Sequence, residues 1–435
     1  MAVARDVTVR AEAQAHLLGL FQAADEPQWL QDRRLEGVKA LEATGLPQRR
    51  SEDWKYTNIG PWLETRYALG DGAGVDALPA DLAQGARLVF VDGRFRADLS
   101  DEISGVTAGA LSAHLDRPAV QDHLGRHAAP QGFVALNQGT FTDGALIEVA
   151  PNTQASAPIN LVHLSTGEGR AAGLRHLVVL GQGAEAEVVI HERTTGSGPS
   201  LTHVVVEIAL GDNAGLELVD LQEGGPEAFY TAHMAATLGR DARLSRRALA
   251  LGGRSSRAEV VVNFGAEGGE ADLNGLYLAR GRSHQDHHLT LNHAHSRCTS
   301  GQLYKGILDE HGRGVFTGKV VVAEHTHQSK AEQGNHNLLL SNDAHANTRP
   351  QLEIYADDVQ CSHGATVGQL DEEAMFYLRA RGIGVARARD LLTYAFASEV
   401  IGNDATGAWL ESRLLGWLPG HTVAAVDLHA ALEEL

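Results

Sequence analysis

The segment GQGAEAEV (181–188) is the first of four similar turns in the middle of the chain, followed by GDNAGLEL (211–218), GRDARLSR (239–246) and GAEGGEAD (265–272). Their starting positions are 30, 28 and 26 residues apart. Short runs of β-branched residues lie between them, and helix-length amphipathic runs are absent from about residue 145 to 370. Because one coil of this size cannot bury its own apolar face, the repeat predicts a stacked β-solenoid. A large antiparallel sandwich with evenly spaced hairpin turns is the alternative.

Helical patterns lie on both sides of this β region. Apolar residues recur at helical spacing between positions 10 and 65, where Gly45 is a plausible C-cap. The segment LDEEAMFYLRARG (370–382) has an acidic first turn and ends at Gly382, and two more amphipathic segments follow it. We therefore expect a mainly β protein with three regions: an N-terminal helical region (1–85), a β-rich region (86–370) whose core starts at about 145, and a C-terminal helical region (371–435). Within RLVFVDGRF (87–95), Asp92-Gly93 predicts a hairpin.

Composition excludes several classes of function. The chain has 435 residues and a formal net charge of −19, which argues against nucleic acid as a partner because phosphate binding needs clustered Lys and Arg. No stretch reaches the roughly 18 apolar residues of a membrane helix, and the N-terminus lacks the pattern of a signal peptide. We expect a cytoplasmic protein that has no contact with a membrane and whose cysteines, Cys298 and Cys361, are free thiols.

Half of the histidines lie in one segment. Residues 284–363 contain eleven of the 22 histidines and both cysteines. Imidazole and thiolate bind iron, zinc and iron–sulfur clusters. If the segment is extended, three pairs spaced i, i+2 would each lie on one strand face and could converge on a metal: His293/His295, His325/His327 and Cys361/His363. The strongest candidate is Cys361 with His363, since a nearby imidazole can activate a thiol as thiolate.

The remaining side chains of this segment are expected to be structural or solvated. Their spacing matches no closed zinc pattern such as CxxC with HxxxH. This interpretation applies to His284, His287, His288 and His311 taken singly. Cys298 has no comparable motif context and is expected to be a plain buried or surface thiol.

Two segments at opposite ends of the chain resemble the SufD family of the Suf iron–sulfur cluster assembly system. They are ADDVQCSHGATVGQLDEEAMFYLRARGI (356–383) and RSEDWKYTN (50–58), and FVDGRF (90–95) and the run 325–359 support them. The resemblance spans nearly the whole chain. The paralogous SufB family shares the region around Cys361 and His363, but EDWKYT and the glycine after His363 favour SufD. We expect Trp54, Lys55 and Tyr56 to pack the N-terminal helices.

The resemblance implies a right-handed parallel β-helix core, a SufB–SufD heterodimer and a SufC ATPase docked on the C-terminal helical region. The cysteine and histidine of the family's C-x-H motif fall on Cys361 and His363, at a nascent cluster site between the two subunits. Two ligands from one chain leave a cluster short of its usual four. We therefore expect transient iron or a transient cluster at the interface and no stably bound cofactor.

The leading function is a non-catalytic scaffold subunit that contributes to iron acquisition and nascent cluster formation. The chain has no Walker A motif, so any ATPase activity must belong to a partner. One alternative is a β-helix or cupin-like mononuclear metalloenzyme, which needs three convergent ligands. Another is a structural adaptor without metal contact.

Two surfaces are candidates for association with other chains. The last coils of the solenoid should present exposed strand edges and the polar stretch SKAEQGNHN (329–337) to SufB, or to a second copy when the chain is isolated. The C-terminal helical region is rich in large apolar residues, which either form a partner-docking face or pack on the solenoid end: Phe376, Leu392, Tyr394, Phe396, Leu410, Leu414 and Trp417.

Overall fold

Short strands and terminal helices account for most of the chain. The computed structural model describes residues 2–21, 26–402 and 404–418. The helices are α1 Ala2–Gly19, α2 Gln28–Thr44, α3 Gly60–Leu63, α4 Pro118–His123, α5 Gly132–Thr140, α6 Glu372–Ala380, α7 Val385–Ser398 and α8 Ala405–Trp417. The strands are β1 Ala68–Leu69, β2 Ala86–Val91, β3 Arg94–Phe95, β4 Thr107–Ala110, β5 Ala145–Val149, β6 Ile159–Gly167, β7 Arg170–Leu180, β8 Glu185–Ser197, β9 Ser200–Leu210, β10 Gly215–Gly224, β11 Ala228–Leu238, β12 Arg243–Gly252, β13 Ser255–Phe264, β14 Glu270–Ala279, β15 His284–His293, β16 Thr299–Leu308, β17 Arg313–Val322, β18 Ser329–Leu339, β19 His345–Ile354 and β20 Val359–Gly368.

Successive strands from β5 to β20 alternate between two sheets. The odd sheet contains β5, β7 and so on to β19, and the even sheet contains β6, β8 and so on to β20. Neighbours within each sheet are parallel, and paired residues are 26 positions apart (Phe229 and Ser255) to 32 positions apart (Arg313 and His345). This is a β-solenoid of about eight turns, as the repeat predicted. The parallel pairing excludes the antiparallel sandwich.

The four predicted turns stack on one another. The backbone N–H of Gly183 donates to the carbonyl of Asp212, and the N–H of Asn213 donates to that of Arg240. Asn213 has a φ of 57°, a left-handed conformation that Asn tolerates better than most residues. Each turn thus satisfies polar groups of the next, which fixes the register from coil to coil.

The N-terminal helices cover the outer face of the odd sheet. Leu41 of α2 and Trp62 of α3 are fully buried, in one cluster with Phe133 of α5, Leu201 of β9 and Phe229 of β11. Helix α2 ends as predicted, where Gly45 adopts a φ of 69° and donates its N–H to the carbonyl of Leu41. The predicted hairpin is also present, since β2 and β3 pair with Phe90 opposite Phe95.

Helices α7 and α8 cover the outer face of the even sheet and do not cap the end of the solenoid. Tyr394 of α7 and Leu414 of α8 are buried against Leu221 of β10 and Leu249 of β12. Lys305 of β16 donates to the carbonyl of Phe396, at 2.9 Å. Residues 419–435 of the predicted C-terminal region lie outside the described residues. In the described part of the chain, no helix is long and apolar enough to cross a membrane.

Candidate functional site

Cys361 and His363 lie on β20, the last strand of the even sheet. Strand β20 pairs only with β18, so its other edge has no strand partner in the described part of the chain. Cys361 is paired with Ala331 and His363 with Gln333. Because the strand is extended, the two side chains lie on the same face, as their i, i+2 spacing predicted. Ala331 and Gln333 are buried, which identifies this face as the inner face of the solenoid.

Cys361 is partly covered by the last coil. It packs against an apolar cluster that contains Val320, Val322 and Ala331. Burial raises the pKa of the Cys361 thiol, and a backbone hydrogen bond from Ala331 acts in the opposite direction. In this chain alone, burial therefore favours the protonated thiol, and activation by a nearby imidazole stays a prediction.

His363 is exposed at the mouth of the solenoid interior. From Ser362 to Gly368 every residue of β20 is exposed, and the facing strand β19 is only half-buried along most of its length. The last coil therefore leaves inner-face side chains accessible from outside. A ligand or a second protein could reach the imidazole without opening the fold.

The other two histidine pairs do not form strand faces. His293 is buried at the end of β15, where its Nε2 is 2.8 Å from the hydroxyl of Ser300, while His295 lies in the turn that follows. His325 and His327 both lie in an exposed turn, and His325 has a φ of 70°. The i, i+2 argument was wrong here because the segments are not extended. Among the described residues, no group of three or more His, Cys, Asp or Glu side chains is arranged to hold a metal ion.

The four histidines expected to be structural have varied surroundings. His287 is buried inside the solenoid, and His288 lies on the outer face, 3.0 Å from a carboxylate oxygen of Asp286. His284 lies 2.8 Å from the hydroxyl of Thr57. His311 is exposed in a turn.

The EDWKYT segment (52–57) anchors the N-terminal region to the odd sheet. Trp54 packs against Trp62 and Phe133, and the guanidinium of Arg257 lies 3.9 Å from the centre of its ring. Tyr56 is exposed, and Lys55 forms an ion pair with Glu52 at 2.9 Å instead of packing on the helices. The packing prediction therefore holds for Trp54 and is wrong for Lys55 and Tyr56. A cavity of about 490 Å³ lies beside Trp54 on the odd sheet, whereas Cys361 and His363 lie on the even sheet. Its size alone does not make it the site, because the candidate ligands are elsewhere.

The polar stretch 329–337 is not an exposed strand edge. It forms most of β18 and is paired on both sides, with β16 and β20. Its side chains alternate, so that Gln333, Asn335 and Asn337 are buried inside the solenoid while Lys330 and Glu332 are exposed. The sequence already showed this burial pattern, because the ionised residues Lys330 and Glu332 alternate with uncharged ones.

Comparison with known proteins agrees with this architecture. Residues 163–396 match the family model for the SufBD core domain of SUF-system iron–sulfur cluster assembly. The chain belongs to the SufBD family. It is 34% identical over 371 residues to the iron–sulfur cluster assembly protein SufD of Escherichia coli, covering 83% of this chain and 86% of that protein. A SufBD family protein of Synechocystis is 32% identical over 396 residues, covering 86% and 87%. The SufD protein of Bacillus subtilis is 22% identical over 409 residues, covering 89% and 93%. This chain is thus a SufD-type iron–sulfur cluster assembly protein.

Proposed function

We propose that the chain is a non-catalytic scaffold subunit that pairs with a SufB protein and a SufC ATPase, and that contributes to iron acquisition and nascent cluster formation. The observation that carries the proposal is the position of Cys361 and His363, together on the inner face of an unpaired edge strand. The cytoplasm is the proposed compartment, because both cysteines are free thiols, as a reducing environment favours.

The open end of the solenoid is the proposed surface for SufB. Strands β19 and β20 each have one edge without a strand partner among the described residues. Exposed apolar side chains accompany these edges, including Tyr355, 64% exposed, and Val367, 47% exposed. Unpaired edges and uncapped solenoid ends favour pairing with another chain, and exposed apolar patches mark such contacts. When isolated, the chain would present the same end to a second copy.

The cluster chemistry requires the second chain. A thiolate and an imidazole are suitable iron ligands, but Cys361 and His363 supply only two of the usual four. A partner that covers the open end would bring the missing ligands and exclude water. Iron or a cluster held this way is shared between chains and is lost when they separate, so the proposed cargo is transient.

The C-terminal helices are the proposed docking region for SufC. Helices α7 and α8 are fixed to the even sheet, whereas α6 presents Phe376, 73% exposed, and its neighbour Tyr377. An exposed aromatic pair on a helix that follows the last coil is a suitable contact for a partner. The other large residues named above are at least half-buried, so the docking face is smaller than the sequence suggested.

Anaerobic co-purification with the SufB and SufC counterparts, followed by iron and sulfide analysis, tests this function. We expect the parental complex to retain iron and sulfide, and Cys361→Ser and His363→Ala to lower both by at least severalfold without loss of the complex. His345→Ala is the matched control, because His345 is an exposed histidine on β19 at the same end. Parental iron and sulfide in both site variants would show that the pair has no role in assembly. A chain that never co-purifies with SufB would contradict the scaffold.

A further inference from the structure

A row of side chains on the inner face of the even sheet ends at His363. Gln302 of β16, Gln333 of β18 and His363 of β20 are directly paired across three adjacent strands. Gln302 and Gln333 are each only 4% exposed. The Nε2 of Gln333 donates to the Oε1 of Gln302 at 3.1 Å. The amide of Gln333 is therefore oriented, with its nitrogen toward Gln302.

The other half of this amide has no partner. The Oε1 of Gln333 is buried and accepts no hydrogen bond. Buried acceptors are nearly always satisfied, and leaving one unpaired costs free energy. In a parallel sheet, directly paired residues on adjacent strands are about 4.8 Å apart and project to the same side, so His363 is the neighbour on this side. A rotation of the two side chains is needed to bring a ring N–H of His363 to this oxygen, which accepts no hydrogen bond in the isolated chain.

The facing sheet leaves room for this amide. Gly318 of β17 lies opposite, and a Cβ there would come within 1.7 Å of the Nε2 of Gln333. An alanine at 318 would therefore displace the side chain. The absence of a side chain at Gly318 thus leaves the space that the Gln333 side chain occupies in the last coils.

We propose that Gln333 is a positioning residue for His363: its Oε1 accepts a hydrogen bond from one ring N–H of the imidazole and so fixes the tautomer. The other ring nitrogen, which carries a lone pair, is then the one offered to iron. Histidine ligands commonly donate a hydrogen bond from the N–H of their second ring nitrogen to an oxygen that orients them, and loss of that partner lowers metal affinity by roughly 10- to 100-fold. The link to iron rests on the proposed function, whereas the proposed hydrogen bond rests only on the pairing of Gln333 with His363 and on the unpaired oxygen.

The tautomer of His363 can be measured directly. We would label the histidines of the full chain with ¹⁵N and identify the His363 ring signals by their absence in His363→Ala. We expect one dominant tautomer in the parental chain, and a mixture of both in Gln333→Met, which keeps the length of the side chain and removes the acceptor. Gln333→Glu keeps an acceptor and should restore a single tautomer. Asn337→Leu is the control, because Asn337 is a buried amide on the same strand that pairs with Val367 instead.

A second variant tests the same contact in case Gln333→Met misfolds. Gly318→Ala moves the same amide from the opposite sheet and should also give a mixture of tautomers. If the populations are the same in the parental chain and in both variants, Gln333 does not position His363. Because these spectra need no cluster, they separate this inference from the assembly role: a tautomer fixed by Gln333 would stand even if His363→Ala assembled clusters normally.

Discussion

His287 lies inside the solenoid between the rings of Tyr277 and Tyr304, with centroid distances of 5.0 and 5.5 Å. Both of its ring nitrogens are buried without a hydrogen-bond partner. Burial, together with the charge of Arg246, lowers the pKa of His287 to about 3. The imidazole is therefore neutral in the folded protein and acts as a packed ring. In the sequence it belongs to an unbroken polar run, from His284 to His288, which gave no sign of packing between two aromatic rings.

Replacing His287 with Phe should reduce the sensitivity of the fold to acid. An unfolded histidine has a pKa of about 6.5, so between that pH and the folded pKa the unfolded state binds a proton that the folded state does not. This lowers the free energy of unfolding as the pH falls, by about 2 kcal/mol between pH 7.5 and 5.0. We expect His287→Phe to lose about that much less stability over this range, measured by urea unfolding at both pH values. An exposed control, His345→Phe, should keep the parental pH dependence. Equal pH dependence in all three chains would contradict the buried neutral state.

At the scale of the elements, turns were easier to predict from sequence than the strand face on which a side chain lies. The turn repeat predicted the solenoid because Gly, Asn and Asp at left-handed positions restrict the chain locally. The face argument held for Cys361 with His363, on a strand, and was wrong for His325 with His327, in a turn. An i, i+2 spacing alone cannot distinguish a strand from a turn. The inner amides of β18 were missed because burial of uncharged polar residues depends on partners in other coils, about 30 positions away.

Helix α6 offers a local test at this scale. The Asp371 carboxylate caps the helix and accepts from the backbone N–H groups of Glu373 and Ala374, at 2.7 and 3.2 Å. Loss of such a cap costs about 1 kcal/mol, so Asp371→Ala should speed amide exchange in α6 by roughly fivefold. Hydrogen–deuterium exchange read by mass spectrometry would measure this. Asp404→Ala is the matched variant, because Asp404 caps α8 and should alter that helix instead. Unchanged exchange in α6 would mean that contacts other than the cap hold it.

At the scale of the whole molecule, the solenoid is covered on its flanks and open at its last coil. The N-terminal helices lie on the odd sheet, and helices α7 and α8 lie on the even sheet. In the part of the chain that the structure describes, strands β19 and β20 each have one edge without a strand partner. The sequence predicted helices at both ends of the chain, but not that they fold back along the sides, because that depends on which sheet face is apolar.

A charge on the open end should weaken association. Val367 is exposed on β20, and lysine on an edge strand opposes pairing with a second chain. We expect Val367→Lys to raise the dissociation constant at least tenfold, both for the complex with the SufB counterpart and for association between copies of this chain. Sedimentation velocity would measure both constants. Val9→Lys is the control, since Val9 is an exposed valine on α1. Equal association of both variants and the parental chain would place the interface elsewhere.

The number of stacked coils also sets distances along the solenoid. Each coil adds one strand to each sheet and so lengthens the molecule by about 4.8 Å, the spacing between neighbouring strands. The helices attach to the flanks of particular coils, so the number of coils between them and β20 sets how far Cys361 and His363 stand from either helical region. Gaining or losing one coil of 26 to 32 residues would move this pair by one strand spacing and leave the register between the remaining strands unchanged. Homologues with different numbers of coils would therefore hold the equivalent pair of residues at discrete distances from the helical regions.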